Sequence, residues 1–324
     1  MASEQTLLDA WGDVRDNALE GGDPSETIEA FEREAASNIA RISDGLLDGS
    51  WEPKPVVHFQ IPKKSGQRNL GIPSIEDRIV DRAVKDVLDD VIDPLLMPWS
   101  VAYRRGMGVH TAIGHLLDAR DEGRPWVARC DVKDCFPQIP RTGVLARLYE
   151  VCPDPSLSEL VRRLVHRRLV GRNAPRLPRG RGLHQGSPLS PLLANLYLDR
   201  FDRGMADEGF MAVRYADDIA IPVPTRSEGE HALAMAEAIL RGLQLELNAG
   251  KSDICSLDGG VDYLGQTITH RSGPGRDEAA HPLETTVYVE QQGALLRSRG
   301  DRVVVEHGGE VVARINFRRV REFV

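Results

Sequence analysis

The stretch Met211 to Val223, MAVRYADDIAIPV, constrains the fold more than any other part of the chain. Apolar residues flank two adjacent aspartates, Asp217 and Asp218, on both sides. Short apolar runs around a polar pair read as two strands joined by a tight turn. The strands belong in the interior, yet the turn carries two carboxylates. Such a placement is costly unless cations or hydrogen-bond donors face the acids. The chain therefore has to fold so that positive charge reaches the tip of this hairpin. A bare Asp-Asp pair is a weak signal; Asp89-Asp90 is another, and its helical neighbours predict a solvated face.

A second acid lies in an equivalent setting. Residues 126–132, WVARCDV, read as a strand with Asp131 at its end, followed by Lys133, Asp134, Cys135 and Phe136. Carboxylates from separate strand ends can hold two divalent ions roughly 3.5–4 Å apart, the arrangement used for in-line phosphoryl displacement. Magnesium suits it, because it prefers hard oxygen ligands from one or two carboxylates plus substrate phosphates. Taken motif by motif, a turn-capping Asp131 and a merely polar hairpin tip are equally good readings.

The remaining pattern supplies the frame. Asp23-Pro24-x-Glu26 starts a helix over 23–48, with Ile28, Phe31, Ala35, Ile39, Ile42 and Leu46 on one stripe. Residues 50–76, rich in proline and glycine, predict short strands and a loop. Helices follow over 77–97, with Ile79, Val80, Ala83, Val84, Val87, Leu88 and Val91 buried, and over 141–170, 188–204 and 226–243. Residues 261–269 read as a strand, and the last forty residues as a meander of short strands. Linker composition over 271–284 places a domain boundary near residue 280. Four cysteines without a C-x-x-C pair read as reduced thiols, and no apolar run is long enough to span a membrane, so a cytoplasmic protein is expected.

A net charge of −8 argues against a nucleic-acid partner only until it is divided along the chain. Residues 1–50 hold twelve acids and three bases, whereas the remainder is nearly balanced. Val161 to Arg181 carries eight arginines and no acid. That run either neutralises a nucleic-acid backbone or decorates a helix face; the two readings are comparable.

Together these segments resemble the reverse transcriptases of the bacterial group II intron lineage. DVKDCFPQI (131–139) is similar to the family's motif A, GLHQGSPLSPLLANLYLDRFD (182–202) to motif B, and YADD (215–218) to motif C. LELNAGKSD (245–253) resembles motif D and DYLGQTI (262–268) motif E. Upstream, IPKKSGQRNLGIPSIEDRIVDRAV (61–84) resembles the fingers motif and AYRRGMGVHTAI (102–113) the block after it. The resemblance covers roughly residues 25–270, after an acidic arm over 1–24. It implies an α+β fold: a right-hand palm and fingers with an antiparallel palm sheet.

The resemblance also implies roles. Asp131, Asp217 and Asp218 are the implied catalytic acids, and with Val132 they form the implied metal-binding set for two magnesium ions, manganese being the alternative. Lys63 and Arg68 match residues that hold the triphosphate. Phe136 matches the aromatic that selects deoxynucleotides, Gln185 and Gly186 the loop against the templating pair, Tyr215 a further substrate contact, and Lys251 a motif D lysine proposed to protonate pyrophosphate. Tyr263, Leu264 and Gly265 match the primer grip. His184 stands where the family usually has proline, and the family's helical thumb has no counterpart in the linker-like residues after motif E.

Residues 285–324 resemble something different, the opening β-strands of the CRISPR-associated integrase that inserts spacers, in the pattern YVEQQGALLRSRGDRVVVE. The whole therefore implies an RNA-directed DNA polymerase using an RNA template, a DNA or RNA primer and deoxynucleoside triphosphates. It would serve spacer acquisition beside an integrase region and an accessory integrase subunit, and a small all-β appendage would follow the palm. The alternatives are a retron-like or antiphage reverse transcriptase, and a non-catalytic module that docks nucleic acid to the integrase.

Overall fold

Helix-capping and strand-register signals set the element boundaries in a computed structural model that describes residues 1–19, 25–62, 67–171, 174–268, 294–299, 302–307 and 310–316. The acidic N-terminal residues form α1 (Glu4–Leu19), whose Leu7, Ala10, Trp11 and Val14 are buried in the main core. The single helix expected over 23–48 is two, α2 (Glu26–Arg33) and α3 (Ala35–Leu47), because Glu34 leaves the helical backbone at φ −121°. Its cap is Ser25, whose hydroxyl accepts from the Ile28 amide; Asp23 and Pro24 lie outside the described residues. The rings of Trp11 and Phe31 pack in a tilted arrangement with centroids 4.6 Å apart, tying α1 to α2.

Residues 50–76 form a hairpin, β1 (Val56–Pro62) and β2 (Gln67–Ile72), leading into α4 (Ile75–Ile92). Ser74 caps α4 by accepting from the Asp77 amide, and Pro94 ends it in a single 3-10 turn. Two expectations on this helix fail. Val91 is 37% exposed, and Asp89 is buried against Lys85 instead of lying on a solvated face. The i,i+4 lysine makes that burial tolerable.

After α5 (Val109–Asp121) come β3 (Trp126–Asp131) and the single turn α6 (Cys135–Gln138). The expected helix over 141–170 splits into α7 (Arg141–Val151) and α8 (Pro155–Val165), followed by the short strand β4 (Leu169–Val170). Pro155 cannot continue α7, and Asp154 caps α8 by accepting from the Ser156 and Leu157 amides. Next come α9 (Ser190–Asp207), the hairpin β5 (Val213–Tyr215) and β6 (Asp218–Val223), α10 (Arg226–Gly242), and β7 (Asp253–Ser256). What the pattern offered as one strand over 261–269 is a hairpin, β8 (Val261–Tyr263) and β9 (Gln266–Ile268), turning through positive φ at Leu264 and Gly265.

Strands β5, β6, β3 and β7 form an antiparallel sheet in that order. Ala128 and Cys130 face a core shared with Phe201 of α9 and Ala236 of α10, whereas Val127 and Ala220 face a second core with Ala112 and Leu116 of α5. Both faces are thus covered, which explains why the strands read as almost continuously apolar. A second sheet has the order β2-β1-β4, with β1 and β4 parallel. The architecture is α+β, as in polymerase palm and fingers. The valine-rich C-terminal residues form the antiparallel meander β10 (Ala294–Arg299), β11 (Arg302–His307) and β12 (Glu310–Asn316). The boundary near residue 280 and the strands expected at Val287 and Val289 lie outside the described residues. All four cysteines are free thiols, and no described helix is long and apolar enough to cross a membrane.

Candidate active site

Asp131 and Asp218 are register partners across β3 and β6. Directly opposed residues share a face, so the sheet itself brings the two carboxylates together. Asp217 sits in the β5–β6 turn, and its carbonyl accepts from the Val132 amide at 3.0 Å. This bond ties motif C to motif A through the backbone. Ala216 in the turn has φ +60°, an unusual conformation for a residue with a Cβ.

A buried arginine holds that turn. Arg214 is fully buried and donates to Asp202 at 2.8 and 2.6 Å, to Asn195 Oδ1 at 2.9 Å, to Ser100 Oγ at 2.7 Å and to the Ala216 carbonyl at 3.1 Å. Asn195 in turn donates to the Ala102 carbonyl. The motif C hairpin is thus braced on α9 and on residues 100–102. None of these roles was foreseen. The available signal was a lone charge in an otherwise apolar strand, which demands a buried partner.

The electrostatics are those of a site short of positive charge. Burial, then the charges of Asp217 and Asp131, push the Asp218 carboxyl up to about 6, against the opposing pull of Lys251. Asp131 is 5% exposed; its Oδ2 accepts from Lys251 Nζ at 2.7 Å and its Oδ1 from Asn248 Nδ2 at 3.1 Å. Asn248 is a second unforeseen residue, and its amide also donates to the Asp131 carbonyl at 2.8 Å. Among the described residues no three His, Cys, Asp or Glu side chains form a ready-made metal cluster. The donor set nevertheless suits a hard divalent cation: carboxylate oxygens whose mutual repulsion an added cation would relieve.

Two cavities meet at these acids. The larger, about 710 Å³, is lined by Asp131, Val132, Asp217, Asp218 and Lys251, by Phe136 and Gln185, and by Asn69 and Gly71 of the fingers hairpin. The smaller, about 250 Å³, shares Asp131, Asp218 and Lys251 and is closed by Tyr263 and Leu264. Phe136 is buried in the core and presents to the larger cavity. Tyr215 is buried beneath the turn. Gly186 has φ +113°, and a Cβ there would stand 2.4 Å from the Gly71 carbonyl. Together with the 2.6 Å bond from the Gly71 amide to the Gln185 carbonyl, this seals motif B onto β2. Gly265 completes the β8–β9 turn, and Arg129, paired with Asp253 of β7, braces that hairpin by donating to the Asp262 carbonyl. Lys63 lies outside the described residues; Arg68 is on β2, opposite Ile61.

The arginine run divides. Arg167 is buried and pairs with Asp81 at 2.7 Å, and Ser187 Oγ donates to the same carboxylate at 2.6 Å. Arg162 and Arg163 pair with Glu159 and Glu52, and Arg181 donates to the carbonyls of Gln138 and Gln244. Arg168, Arg176 and Arg179 are exposed, Arg176 at the larger cavity. Decoration of a helix face therefore describes Arg162 and Arg163 of α8, whereas Arg167 and Arg181 are tied into the fold and Arg172 lies outside the described residues. His184 fills the usual proline position; burial pulls its imidazole down to about 4, and its Nε2 donates to the Arg167 carbonyl.

Strand-end carboxylates on an antiparallel sheet open on two adjoining cavities under a fingers hairpin, an arrangement that suits phosphoryl transfer assisted by divalent ions. Residues 61–268, more than half of the chain, match the family described as reverse transcriptase (RNA-dependent DNA polymerase), and the chain belongs to that family. It is related to group II intron reverse transcriptases: it is 29% identical over 180 residues to the group II intron-encoded protein LtrA of Lactococcus lactis subsp. cremoris, covering 55% of this chain and 29% of the relative. Among solved structures, telomerase from Candida albicans in complex with a fragment of telomeric RNA is similar in fold, with TM-score 0.52 and 16% identity over 67% of this chain and 44% of the other. A Cas6-RT-Cas1–Cas2 complex aligns with TM-score 0.47 and 18% identity over 97% of this chain and 35% of the other. The chain spans under a third of the length of LtrA. Divalent-metal catalysis is the chemistry of the family.

Proposed function

We propose that this chain extends a DNA or RNA primer on an RNA template with deoxynucleoside triphosphates, in support of spacer acquisition from RNA. The observation that carries the reading is that one pair of carboxylates, Asp131 and Asp218, lines two cavities at once. A reaction joining a primer end to a nucleotide needs its charged groups at such a partition. The larger cavity takes the nucleotide, against Phe136 and Gln185, with Gly186, Lys63 and Arg68 in the substrate-binding roles that the resemblance implies. The smaller takes the primer end, located by the Tyr263-Leu264-Gly265 turn. Two magnesium ions, or manganese, held by Asp131, Asp217, Asp218 and the Val132 carbonyl, would activate the primer hydroxyl and neutralise pyrophosphate. Arg176 and its exposed neighbours face the template backbone, which makes binding salt-dependent. The integrase-like residues 285–324 support the link to spacer acquisition, with the integrase and its accessory subunit as partners.

The test is primer extension on matched RNA and DNA templates with magnesium and deoxynucleotides. The expected result is extension by the wild type and its loss in Asp217→Asn, with an unchanged circular-dichroism spectrum. Synthesis retained by the variant, or absent from both proteins, would overturn the reading in favour of a docking module.

A further inference from the structure

The contact between Lys251 and Asp131 carries an inference beyond polymerisation, although it rests on the metal reading above. Lys251 closes a short 3-10 turn, Ala249–Lys251, that starts at Asn248. The turn is anchored without the lysine side chain. The Asn248 amide and Nδ2 both bond Asp131, and the Lys251 amide and Ser252 Oγ both donate to the Asn248 carbonyl. The lysine side chain is 61% exposed, whereas that of Asp131 is 8% exposed. A fixed, buried carboxylate with two acidic neighbours is therefore met by an ammonium on a long, solvent-accessible stem. A buried carboxylate beside two like charges is costly without an opposite charge, and the lysine lowers that cost.

We propose that Lys251 is a resident counter-ion. It pairs with Asp131 while the site is free of metal and swings off when a divalent cation loads, leaving Asn248 to hold the carboxylate oriented. The released ammonium then faces the larger cavity, where the phosphates of an incoming nucleotide supply its new partner. Because lysine and metal compete for one oxygen, each weakens the other by the same factor. Metal loading and substrate capture are thereby coupled through one side chain.

The experiment uses the full chain with Mn²⁺ as probe, its binding followed by the EPR signal of the free ion and its effect by thermal unfolding. Lys251→Met should lower the metal-free Tm by roughly 2 °C. That deficit should vanish at saturating Mn²⁺, because in the loaded state the lysine no longer braces Asp131. Mn²⁺ affinity should rise about fivefold in the same variant. Lys251→Arg, which keeps the charge, should behave as wild type in both measurements. Arg176→Met, which removes another cation from the same cavity, should leave the affinity within about twofold. A Tm deficit that persists in the loaded protein makes Lys251 a plain structural brace and overturns the proposal. So does an unchanged affinity or an unchanged metal-free Tm in Lys251→Met. If the wild type binds Mn²⁺ and Asp217→Asn does not, a null result at Lys251 sinks this inference alone; if the wild type binds none, the metal reading falls with it.

Discussion

Replacing Arg214 with methionine should cost this protein about 3–5 kcal/mol, the range for leaving one member of a buried ion pair behind. The magnitude follows from what the side chain does. Both Arg214 and Asp202 are fully buried, and all five guanidinium N–H groups have acceptors: two on Asp202 and one each on Asn195, Ser100 and the Ala216 carbonyl. Methionine fills much of the volume and satisfies none of them. Asp202 is then a buried charge without a partner, and the Ala216 carbonyl is an orphan acceptor beneath the catalytic turn. The assay is guanidinium denaturation followed by circular dichroism, with primer extension on the same preparations. A second variant separates stability from positioning. Arg214→Met with Asp202→Leu removes both charges, and apolar replacement of a whole buried pair is often neutral. It should recover most of the stability. It cannot restore the bond to Ala216, so primer extension should stay well below wild type. Loss of less than about 1 kcal/mol in Arg214→Met would refute the energetic argument. Full activity in the double variant would refute the positioning argument.

Gly186→Ala should destabilise the protein by about 1–3 kcal/mol and depress primer extension, because both the φ of +113° and the Gly71 carbonyl oppose a Cβ; an unchanged denaturation midpoint would contradict the seal between motif B and the fingers. Asp218 sets a pH dependence in metal-free buffer. Its carboxyl titrates at about 6 in the folded protein and near 3.8 in the unfolded chain, so the folded state binds the proton more tightly. Stability from this group is therefore full below pH ~4, falls as pH rises to about 6, and is constant beyond. Denaturation of wild type and Asp218→Asn across that window should show the variant gaining on the wild type between those limits; a flat difference would show that neither burial nor the charges of Asp217 and Asp131 raise the Asp218 carboxyl.

Much of the site could be read from local pattern, because strand periodicity and turn chemistry are short-range. The apolar runs over 211–223 and 126–132 forecast a hairpin with acids at its tip and a strand ending in Asp131, and the register then placed Asp131 opposite Asp218. Five helical stretches were legible while their ends were not, and α1 and α5 went unforeseen. Asp154 and Pro155 divide a stretch whose apolar periodicity runs straight through, and Leu264-Gly265 folds one apparent strand into two. Caps and positive-φ turns act on single residues, so periodicity over a window averages them away.

What one dimension could not convey is which charge meets which. Arg167 and Arg176 sit in the same basic run; one is buried on Asp81 and the other opens on the larger cavity. Arg214 finds Asp202, and Asn248 finds Asp131 across 117 residues of chain. Residue types and spacing are enough to say that strand-end acids need a cation, since desolvation is a property of the side chain itself. Which cation arrives, and from which segment, is settled by packing alone, because Coulomb and hydrogen-bond partners are chosen by distances of about 3 Å that carry no trace in sequence separation.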